Sequence, residues 1–482
     1  MKFTKLSLVA AIAVSSAFAG GDIAPVEPAP VVEVSPWSFS GDAKLYYSAS
    51  TGRFDVKSGQ TASIFDQASA NGQAAISADV GYAINSNWKI NVGMTGLMTL
   101  GLDDSIVSGT WLYAGANAYD PLMPMTSVGD ALWFDTANIT GTMFDGKLTM
   151  VLGRQALDTP LAFSETWNIV PNTFDAAVAI AKPMENLSLI AGYIYDGNGN
   201  GSRIATFDGA GVSGEGGFTH GNGYVPVATG TPNEISNGAW TVAAVGTFAG
   251  VTAQAWYYDV MDVANAAWLQ ADGEFSGFTL GAQYAWISAD SKLETALGAQ
   301  SEDASAWAVK AGYKMDALNL WAAYSSADDN NDATKFVLPV ANTATIWNGA
   351  GAGPVAFGWG SQAGGQSKLY TEAWWNYGLV GQAGADTFAA AAEYNVGDLA
   401  IFNGVQATLQ YTNVDGAKIF GDPTNAVDMQ EVTALVGAKV YDFNVQLAYI
   451  WSQVDNYNTV TNTTMVNGDN TDTVQLYLTY NF

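Results

Sequence analysis

Apolar and polar residues alternate along segment after segment of this chain. In the last twelve residues, TDTVQLYLTYNF, every second position from Val474 to Phe482 is aliphatic or aromatic, and Gln, Tyr, Thr and Asn stand between them. A period of two predicts a β-strand with one apolar and one mainly polar face. Residues 39–47, 88–94 and 278–286 alternate in the same way. Recurrence over the whole chain predicts an all-β protein.

The alternation and the turn residues between segments predict eighteen strands. They lie at residues 37–50, 73–84, 88–101, 131–143, 147–155, 174–183, 187–196, 239–249, 251–259, 266–276, 278–289, 305–315, 318–326, 386–397, 403–414, 431–441, 444–455 and 472–482. An even number lets an antiparallel sheet close without an edge. Residues 368–379, KLYTEAWWNYGL, are assigned to a loop; a strand pair there would give about sixteen or twenty strands instead.

Short and long connections alternate between these strands. The short ones include residues 85–87, 144–146, 184–186, 276–277 and 316–317. The long ones are rich in Gly, Asn and Asp and lie near residues 51–72, 102–130, 197–238 and 327–385. Only 13% of residues are charged, about half the usual share. The predicted fold class is therefore a transmembrane antiparallel β-barrel of about 18 strands, with short periplasmic turns and long extracellular loops.

The N-terminus has the parts of a secretory signal peptide. Two lysines precede an apolar run at residues 6–14, and Ala-Phe-Ala at 17–19 is a small-x-small cleavage site. The apolar run is shorter than the about 20 residues that a membrane-spanning helix needs, which disfavours the alternative of a membrane anchor. We predict a signal peptide over residues 1–19, a proline-rich leader over 20–36 and the barrel over 37–482.

The leader carries four prolines, which favour a semi-rigid extended chain: Pro25, Pro28, Pro30 and Pro36. The chain has no cysteine, so an exported protein of this sequence has no disulfides to stabilise it. Once residues 1–19 are removed, the formal charge is 15 − 45 = −30. This acidity disfavours nucleic-acid binding. It predicts either an acidic solvated surface or a field that attracts cations.

The polar faces of the predicted strands would line a water-filled lumen. The predicted lining residues have both signs of charge: Asp42, Lys44, Asp79, Lys89, Lys147, Asp272, Lys310, Glu393 and Lys439. They either set an ion preference or only solvate the wall. The acidic runs at residues 102–104 and 328–332 either bind divalent cations or are simply solvated.

The stretch GRQALDTPLAFSETWNIVPNTFDAAVAIAKP, residues 153–183, joins two predicted strands. It resembles porins of epsilonproteobacteria, the Opr family, which are related to OprD-type porins and to the campylobacterial major outer membrane protein. The matching residues are Gly153, Arg154, Gln155, Asp158, Thr159, Pro160, Leu161, Val170, Pro171, Asn172 and Phe174. The resemblance extends more weakly over residues 37–482.

The resemblance implies that residues 156–173 fold into the barrel as a constriction, and that the protein is a homotrimer. The resemblance implies that Asp158 and Glu165 face the pore opposite basic wall residues. Arg154 and Asp175 are the other two predicted constriction residues, and strand parity places Asp175 on the polar, lumen-facing side. Parity of the predicted strand places Arg154 on the lipid face, so either a bulge turns it inward or it lies at the rim. The chain has only three arginines, so the arginine ladder of porins for basic amino acids is not expected.

Enzymatic chemistry is not indicated. The sole histidine, His220, lies in a glycine-rich loop, and one histidine without cysteine cannot form a zinc site. We predict an outer-membrane porin that admits small hydrophilic solutes and ions by passive diffusion, favours cations and needs no cofactor. The alternatives are a substrate-specific channel, a structural or adhesive barrel without conductance, and a soluble secreted β-protein whose apolar faces lie in a core.

Overall fold

Eighteen antiparallel strands form one closed barrel in the computed structural model of this chain. The structure describes residues 35–51, 54–55, 60–61, 63–65, 70–98, 131–164, 169, 171, 173–197, 224–226, 232–234, 238–297, 299–329, 332, 335–338, 340, 367–418, 426–455 and 470–482. The predicted fold class and the predicted strand number are confirmed.

The barrel strands, numbered along the chain, are β1 (Trp37–Ser50), β2 (Ala70–Ala83), β3 (Trp88–Met98), β4 (Ala131–Met143), β5 (Leu148–Gln155), β6 (Phe174–Met184), β7 (Leu187–Gly197), β8 (Ala239–Phe248), β9 (Val251–Val260), β10 (Ala264–Phe275), β11 (Phe278–Ala289), β12 (Ala304–Met315), β13 (Leu318–Ala327), β14 (Asp386–Leu399), β15 (Phe402–Lys418), β16 (Ala426–Val440), β17 (Phe443–Asp455) and β18 (Asn470–Asn481). Residues 368–379 are not a strand, as predicted; they include a short 3-10 turn at Tyr377–Leu379.

The first and last strands close the ring. The ladder between β1 and β18 runs from Asp42 opposite Asn481 to Ser50 opposite Thr473. Beyond it, Gly41 and Phe482 exchange backbone hydrogen bonds of 2.9 and 3.0 Å. Each strand also pairs with its neighbour in sequence, so every barrel strand has a partner on both sides. A closed ladder of this kind satisfies the backbone groups without water.

Tight turns collect at one end of the barrel. Residues 249–250, 276–277, 316–317 and 441–442 each join two strands directly. Ala249, Ser276 and Asp316 have φ values of 51°, 50° and 44°. This left-handed backbone matches the twist of the flanking strands in two-residue hairpins. Gly250 and Gly277 also have positive φ, which costs a glycine little.

The other end carries most of the long connections. Helix α1 (Ser291–Leu297) lies there, together with three short strand pairs: Phe54–Asp55 with Gln60–Thr61, Tyr224–Pro226 with Pro232–Glu234, and Gln300–Glu302 with Lys335–Val337. Among the described residues, no helix has the length and apolarity to cross a membrane. The connections after β5 and β13 turn into the barrel and are described with the site below.

The outward face of the wall is apolar and exposed. In β15, Leu409 is 56% exposed and Tyr411 is also exposed, whereas the residue between them, Gln410, points to the interior and hydrogen-bonds an inner segment. Register places Leu409 opposite Ala392 and Ala434, so the apolar row continues onto both neighbouring strands. Exposed apolar rows around a closed barrel are typical of a surface that faces lipid.

The inward face is not polar throughout. Trp256, Tyr258 and Trp268, on β9 and β10, point inward and are at most 3% exposed. They belong to one apolar cluster with Leu157 and Leu161 from the connection after β5. The alternation therefore predicts the outward rows better than the inward ones, because part of the inner wall packs against chain rather than water.

Adjacent residues of β15 test which face meets lipid. We expect Leu409→Arg to lower the free energy of unfolding by about 2–4 kcal/mol, because the guanidinium would enter an apolar outward row near mid-strand. Thr408→Arg is the matched control. Thr408 lies inward beside Glu393 across the ladder, so a change below about 1 kcal/mol is expected. Denaturant unfolding in lipid vesicles measures both, and equal losses would contradict the orientation.

Candidate functional site

The connection after β5 forms a compact hairpin within the barrel, here called the first inner segment (residues 156–164). Asp158 bridges to Phe163, and the Thr159 hydroxyl donates to the carbonyl of Ala162 at 2.6 Å. The Ser164 amide donates to the carbonyl of Leu157 at 2.8 Å. These bonds satisfy the buried polar groups of the first inner segment, so its Leu157 and Leu161 can pack against the wall. Residues 165–168, 170 and 172 lie outside the described residues.

The connection between β13 and β14 supplies a second inner segment (residues 367–385), which meets the wall at β10 and β11. The Tyr370 hydroxyl donates to Asp272 Oδ1 at 2.5 Å, and the backbone amide of Tyr370 donates to Gln283 Oε1 at 3.0 Å. Gln283 Nε2 donates to the carbonyl of Lys368 at 2.8 Å. Burial raises the pKa of the Tyr370 hydroxyl most, and the hydrogen bond to Asp272 raises it further. The hydroxyl therefore stays protonated and donates this bond.

Gly281 makes room for this contact. It lies between Asp272 and Lys310 in one cross-strand row of β10, β11 and β12. A Cβ at Gly281 would lie 2.5 Å from the Tyr370 hydroxyl oxygen and 2.9 Å from Asp272 Oδ1. The tyrosine ring therefore reaches the wall only because this position carries no side chain.

The second inner segment also contacts the wall at β15, β16 and β18. Gln410 Nε2 donates to the carbonyl of Glu372 at 2.7 Å, and Trp374 Nε1 donates to Gln475 Oε1 at 2.9 Å. The Glu431 carboxylate accepts the backbone amides of Trp374 at 2.7 Å, Trp375 at 3.1 Å and Asn376 at 2.8 Å. Asn376 Nδ2 adds a fourth bond of 2.9 Å to the same carboxylate. Glu431 is only 2% exposed, and these hydrogen bonds from protein groups take the place of the water that its carboxylate would otherwise bind.

One ion pair joins the two inner segments. Lys368 Nζ lies 2.8 Å from Asp158 Oδ1 and 4.5 Å from the ring centroid of Phe163. The side chains of Lys368 and Asp158 are 40% and 36% exposed. Their neighbours Leu161 and Leu369 are almost fully buried. Water therefore reaches the interior where the two segments meet, and a charged pair stands at that point.

The predicted lining residues do not form one cluster. Lys310 Nζ lies 4.2 Å from the centroid of the Trp321 ring, and Glu393 accepts from Asn319 and Trp321 at 2.9 and 2.7 Å. Lys44 Nζ lies 3.5 Å from Asp42 Oδ1. The remaining predicted residues occupy other inward positions or the strand ends beside the tight turns: Asp79, Lys89, Lys147 and Lys439.

Arg154 and Asp175 form an ion pair away from the lumen. Arg154 Nε and Nη2 each donate to a carboxylate oxygen of Asp175 at 2.8 Å, and Nη1 donates to the carbonyl of Phe134 at 2.9 Å. Register sets Arg154 opposite Asp175, on the same side as the exposed Ala177 two residues along β6. This bidentate geometry suits arginine.

The predicted inward placement of Asp175 is therefore wrong. Of the two alternatives for Arg154, the bulge is excluded, and a position near the rim agrees with its place one residue before β5 ends. Gln155 and Phe174, the paired residues next to them, are buried on the inner side. The chain shifts register between Asp175 and Ala176 on the β7 side, but β5 and β6 stay in register with one another. No bulge in β5 turns Arg154 inward, so its parity with the outward residues persists.

Other predicted features are outside the site or outside the described residues. Glu165, His220 and residues 102–104 are not among the described residues. In the acidic stretch at 328–332, Asp328 Oδ2 accepts from Ser305, and Asp329 pairs with Lys418. Among the described residues, no group of three or more His, Cys, Asp and Glu side chains is arranged to hold a metal ion. Divalent-cation binding stays a prediction.

Of the two carboxylates that hold the second inner segment, Asp272 is a predicted lining residue and Glu431 is not. Glu431 shares strand parity with the predicted lining residue Lys439, which was an available signal for an inward position. Tyr370, Trp374 and Asn376 come from the stretch assigned to a loop. Nothing in a loop sequence indicates which wall residues it will contact, because those contacts join positions far apart in the chain.

Three solved structures share this fold at low sequence identity. The chain resembles OccK9 (OpdG) of Pseudomonas aeruginosa with a TM-score of 0.63 and 12% identity, over 92% of this chain and 98% of that one. OccK8 (OprE) of the same organism and OccAB4 of Acinetobacter baumannii give TM-scores of 0.62 and 0.61 at 11% identity, each over 92% of this chain and 98% of theirs. No protein-family model and no curated protein sequence matches.

At this identity the likeness establishes the fold. The chain is a closed 18-strand antiparallel barrel of the type found in OccK and OprD-family porins. The predicted resemblance to OprD-type porins is confirmed for the fold.

Gly281 and Tyr370 provide a test of the contact with β10. Gly281→Ala should lower the free energy of unfolding by about 2 kcal/mol, because it displaces the ring and breaks the hydrogen bond to the Asp272 carboxylate. In a Tyr370→Ala background the same substitution should cost much less. Denaturant unfolding of the four proteins gives the coupling energy. Gly437→Ala, where the nearest atom would be 4.0 Å away, is the control. Additive losses would contradict the contact.

Proposed function

We propose that this protein is an outer-membrane porin through which small hydrophilic solutes and ions diffuse passively, with cations favoured. The observation that carries the proposal is a closed barrel with apolar rows outside and a charged, water-exposed pair inside, where Asp158 meets Lys368. Lipid outside and water inside is the arrangement that a channel requires. The fold shared with OccK and OprD-family porins supports the same reading.

The preference for cations is argued from how the interior charges are paired. Inward lysines stand beside carboxylates: Lys44 with Asp42, Lys314 with Glu274 and Lys368 with Asp158. Other inward carboxylates accept hydrogen bonds from neutral groups: Asp272, Glu393 and Glu431. Lys310 lies near two of them, in the same cross-strand row as Asp272 and over the Trp321 ring that donates to Glu393. Three carboxylates beside one lysine leave an excess of negative charge, which favours cations.

The remaining parts of the proposal come from the sequence. Export would use the signal peptide at residues 1–19, and the lipid partner would be the bacterial outer membrane. A homotrimeric assembly and a relationship to the porins of epsilonproteobacteria are proposed from the resemblance of residues 153–183. Residues 156–173 are proposed as one side of the constriction, with Asp158 as its charged residue.

A substrate-specific channel is the second candidate. The observation that favours it is that the interior is densely filled: the second inner segment is hydrogen-bonded to the wall, and the first packs against the wall through Leu157 and Leu161. Competition by one solute for ion conductance would distinguish it from a general pore. Vanillate is a first probe, because the fold is shared with OpdK of Pseudomonas aeruginosa, whose structure was determined with vanillate.

Planar-bilayer recordings of the refolded chain test the function. We expect stepwise conductance and a reversal potential of cationic sign in a salt gradient. Asp158→Asn should lower the cation-to-anion permeability ratio by up to about fivefold. The interaction energy between two unit charges a few ångströms apart in water is about 1 kcal/mol, which corresponds to about that factor.

Asp398→Asn is the matched control. Asp398 accepts from the Gly404 amide near a tight turn, so this variant loses the same charge outside the inner segments and should keep the original ratio. A reversal potential of anionic sign would overturn the cation preference. Absence of conductance from correctly folded protein would leave a structural or adhesive barrel.

A further inference from the structure

Lysines collect at one end of the lumen. The end of the barrel with the tight turns is here called the turn end, and the end with the long connections is called the loop end. Inward-facing lysines near the turn end are together called the lysine belt: Lys89, Lys147, Lys182, Lys314 and Lys439. Each lies at most three residues from a turn. They belong to β3, β6, β12, β16 and the residue before β5, so the belt is spread around the mouth.

Strand parity places the belt on the inner side of the wall. Lys182 continues the alternation of Val178 and Ile180, which are buried in the inner apolar cluster. Lys439 shares parity with Glu431, whose carboxylate meets the second inner segment, and β16 keeps one register with β17 between them. The other belt residues share parity with inward residues in the same way: Lys89 with Asn91, Lys147 with Thr149 and Lys314 with Lys310.

Two members of the belt lie directly opposite each other. The Lys182 backbone amide donates to the carbonyl of Lys147 at 2.7 Å, and the ladder continues with Ala181 opposite Leu148. Two like charges in directly opposite positions destabilise a sheet. An effect on the ions that pass through the lumen therefore explains this pair better than an effect on the stability of the wall.

The loop end carries the opposite sign of charge. Asp386 lies opposite Asp415, and Asp428 lies opposite Asp455, on four neighbouring strands. Lysines described at this end are paired with carboxylates: Lys292 with Asp262, Lys335 with Glu302 and Lys418 with Asp329. The two like-charge rows thus have opposite signs at the two ends of the barrel, which gives the channel an electrostatic direction.

Acidic residues near the turn end cancel only part of the belt. Glu274 pairs with Lys314, and their side chains are 55% and 50% exposed. The tight turns themselves carry exposed acids: Asp145, Glu185, Asp316, Asp398 and Asp442. In the described part of the chain, no ion pair joins these turn acids to the belt. Salt screens the turn acids in bulk water, whereas the lysines face an enclosed lumen that focuses their field.

We propose that the lysine belt makes the channel rectify, so that ionic current is larger when the loop side is positive than when it is negative. The proposal rests on the proposed channel function and assigns it a direction. The belt residues act as a selectivity element separate from Asp158, which lies on the first inner segment, and from the carboxylates further inside the lumen.

The direction follows from two regions of opposite charge in series. The interior carboxylates favour cations, and the belt favours anions. When the loop side is positive, cations enter past the carboxylates and anions enter past the lysines, so both accumulate between the two regions and conductance rises. When the voltage is reversed, both kinds of ion are drawn out of that zone and conductance falls.

Single-channel recordings at equal voltages of opposite sign test the proposal. In about 0.1 M salt, the current should be about twofold larger with the loop side positive, because an unscreened unit charge a few ångströms from an ion in water changes its occupancy by at most about fivefold. Ser276→Cys, at an exposed tight turn, gives each protein one cysteine. Biotin maleimide and then streptavidin, which cannot enter the lumen, identify the turn side of each channel.

In this background, Lys182→Gln/Lys439→Gln should lower the current ratio towards one, and Lys182→Arg/Lys439→Arg should keep it. Lys292→Gln/Lys335→Gln is the matched control, because it removes the same charge at the loop end and should not lower the ratio. In about 1 M salt, where the Debye length is about 3 Å, the ratio of the original protein should also approach one. Far-UV circular dichroism and heat-modifiable migration on gels establish that each barrel is folded.

Each other outcome decides between the two proposals. Symmetric current from the original protein in low salt would overturn rectification and leave the channel function standing. Equal rectification in the glutamine variant, or rectification that persists in high salt, would show that shape and not the belt sets the direction. Absence of conductance from all the folded proteins would overturn the channel function, and rectification with it.

Discussion

The closure of β1 onto β18 is the constraint on which the structure depends. A sheet in lipid cannot leave an open edge, because each unsatisfied backbone group costs several kcal/mol in hydrocarbon. The ladder from Asp42 to Ser50 removes that edge, and the exchange between Gly41 and Phe482 extends it to the last residue of the chain. Once the ring is closed, every strand must point alternate residues outward and inward. The exposed apolar rows and the enclosed polar interior both follow.

A closed ring of this size encloses more space than its own side chains fill. The chain occupies part of that space with its two inner segments, which satisfy their polar groups against the wall. The first does so mainly within its own hairpin and by apolar packing. The second depends on wall residues, above all Asp272 and Glu431. Loops therefore line the part of the interior where the two inner segments meet, while the strands supply the residues that hold them.

The alternation of residues along each strand predicts part of which charged side chains face inward and which face outward. Inward positions such as Asp42, Asp272 and Glu393 follow the polar face of their strands. Arg154 lies outward, as the parity of β5 predicts, whereas Asp175 was predicted to face the lumen and instead pairs with Arg154 on the outer side. Two opposite charges on adjacent strands satisfy one another there, and the bidentate contact reduces the cost of leaving water.

The sequence alone determined the all-β class, the eighteen strands, the position of the turns and the outward apolar rows, because a period of two is a local property that neighbouring residues carry. It also indicated that residues 368–379 are a loop. Only the tertiary structure decided that this loop lies along the inner wall, that Glu431 accepts its backbone amides and that Asp158 meets Lys368. Those contacts join residues 210 and 55 positions apart, and they exist only after ring closure has placed the inner faces of the strands around one interior.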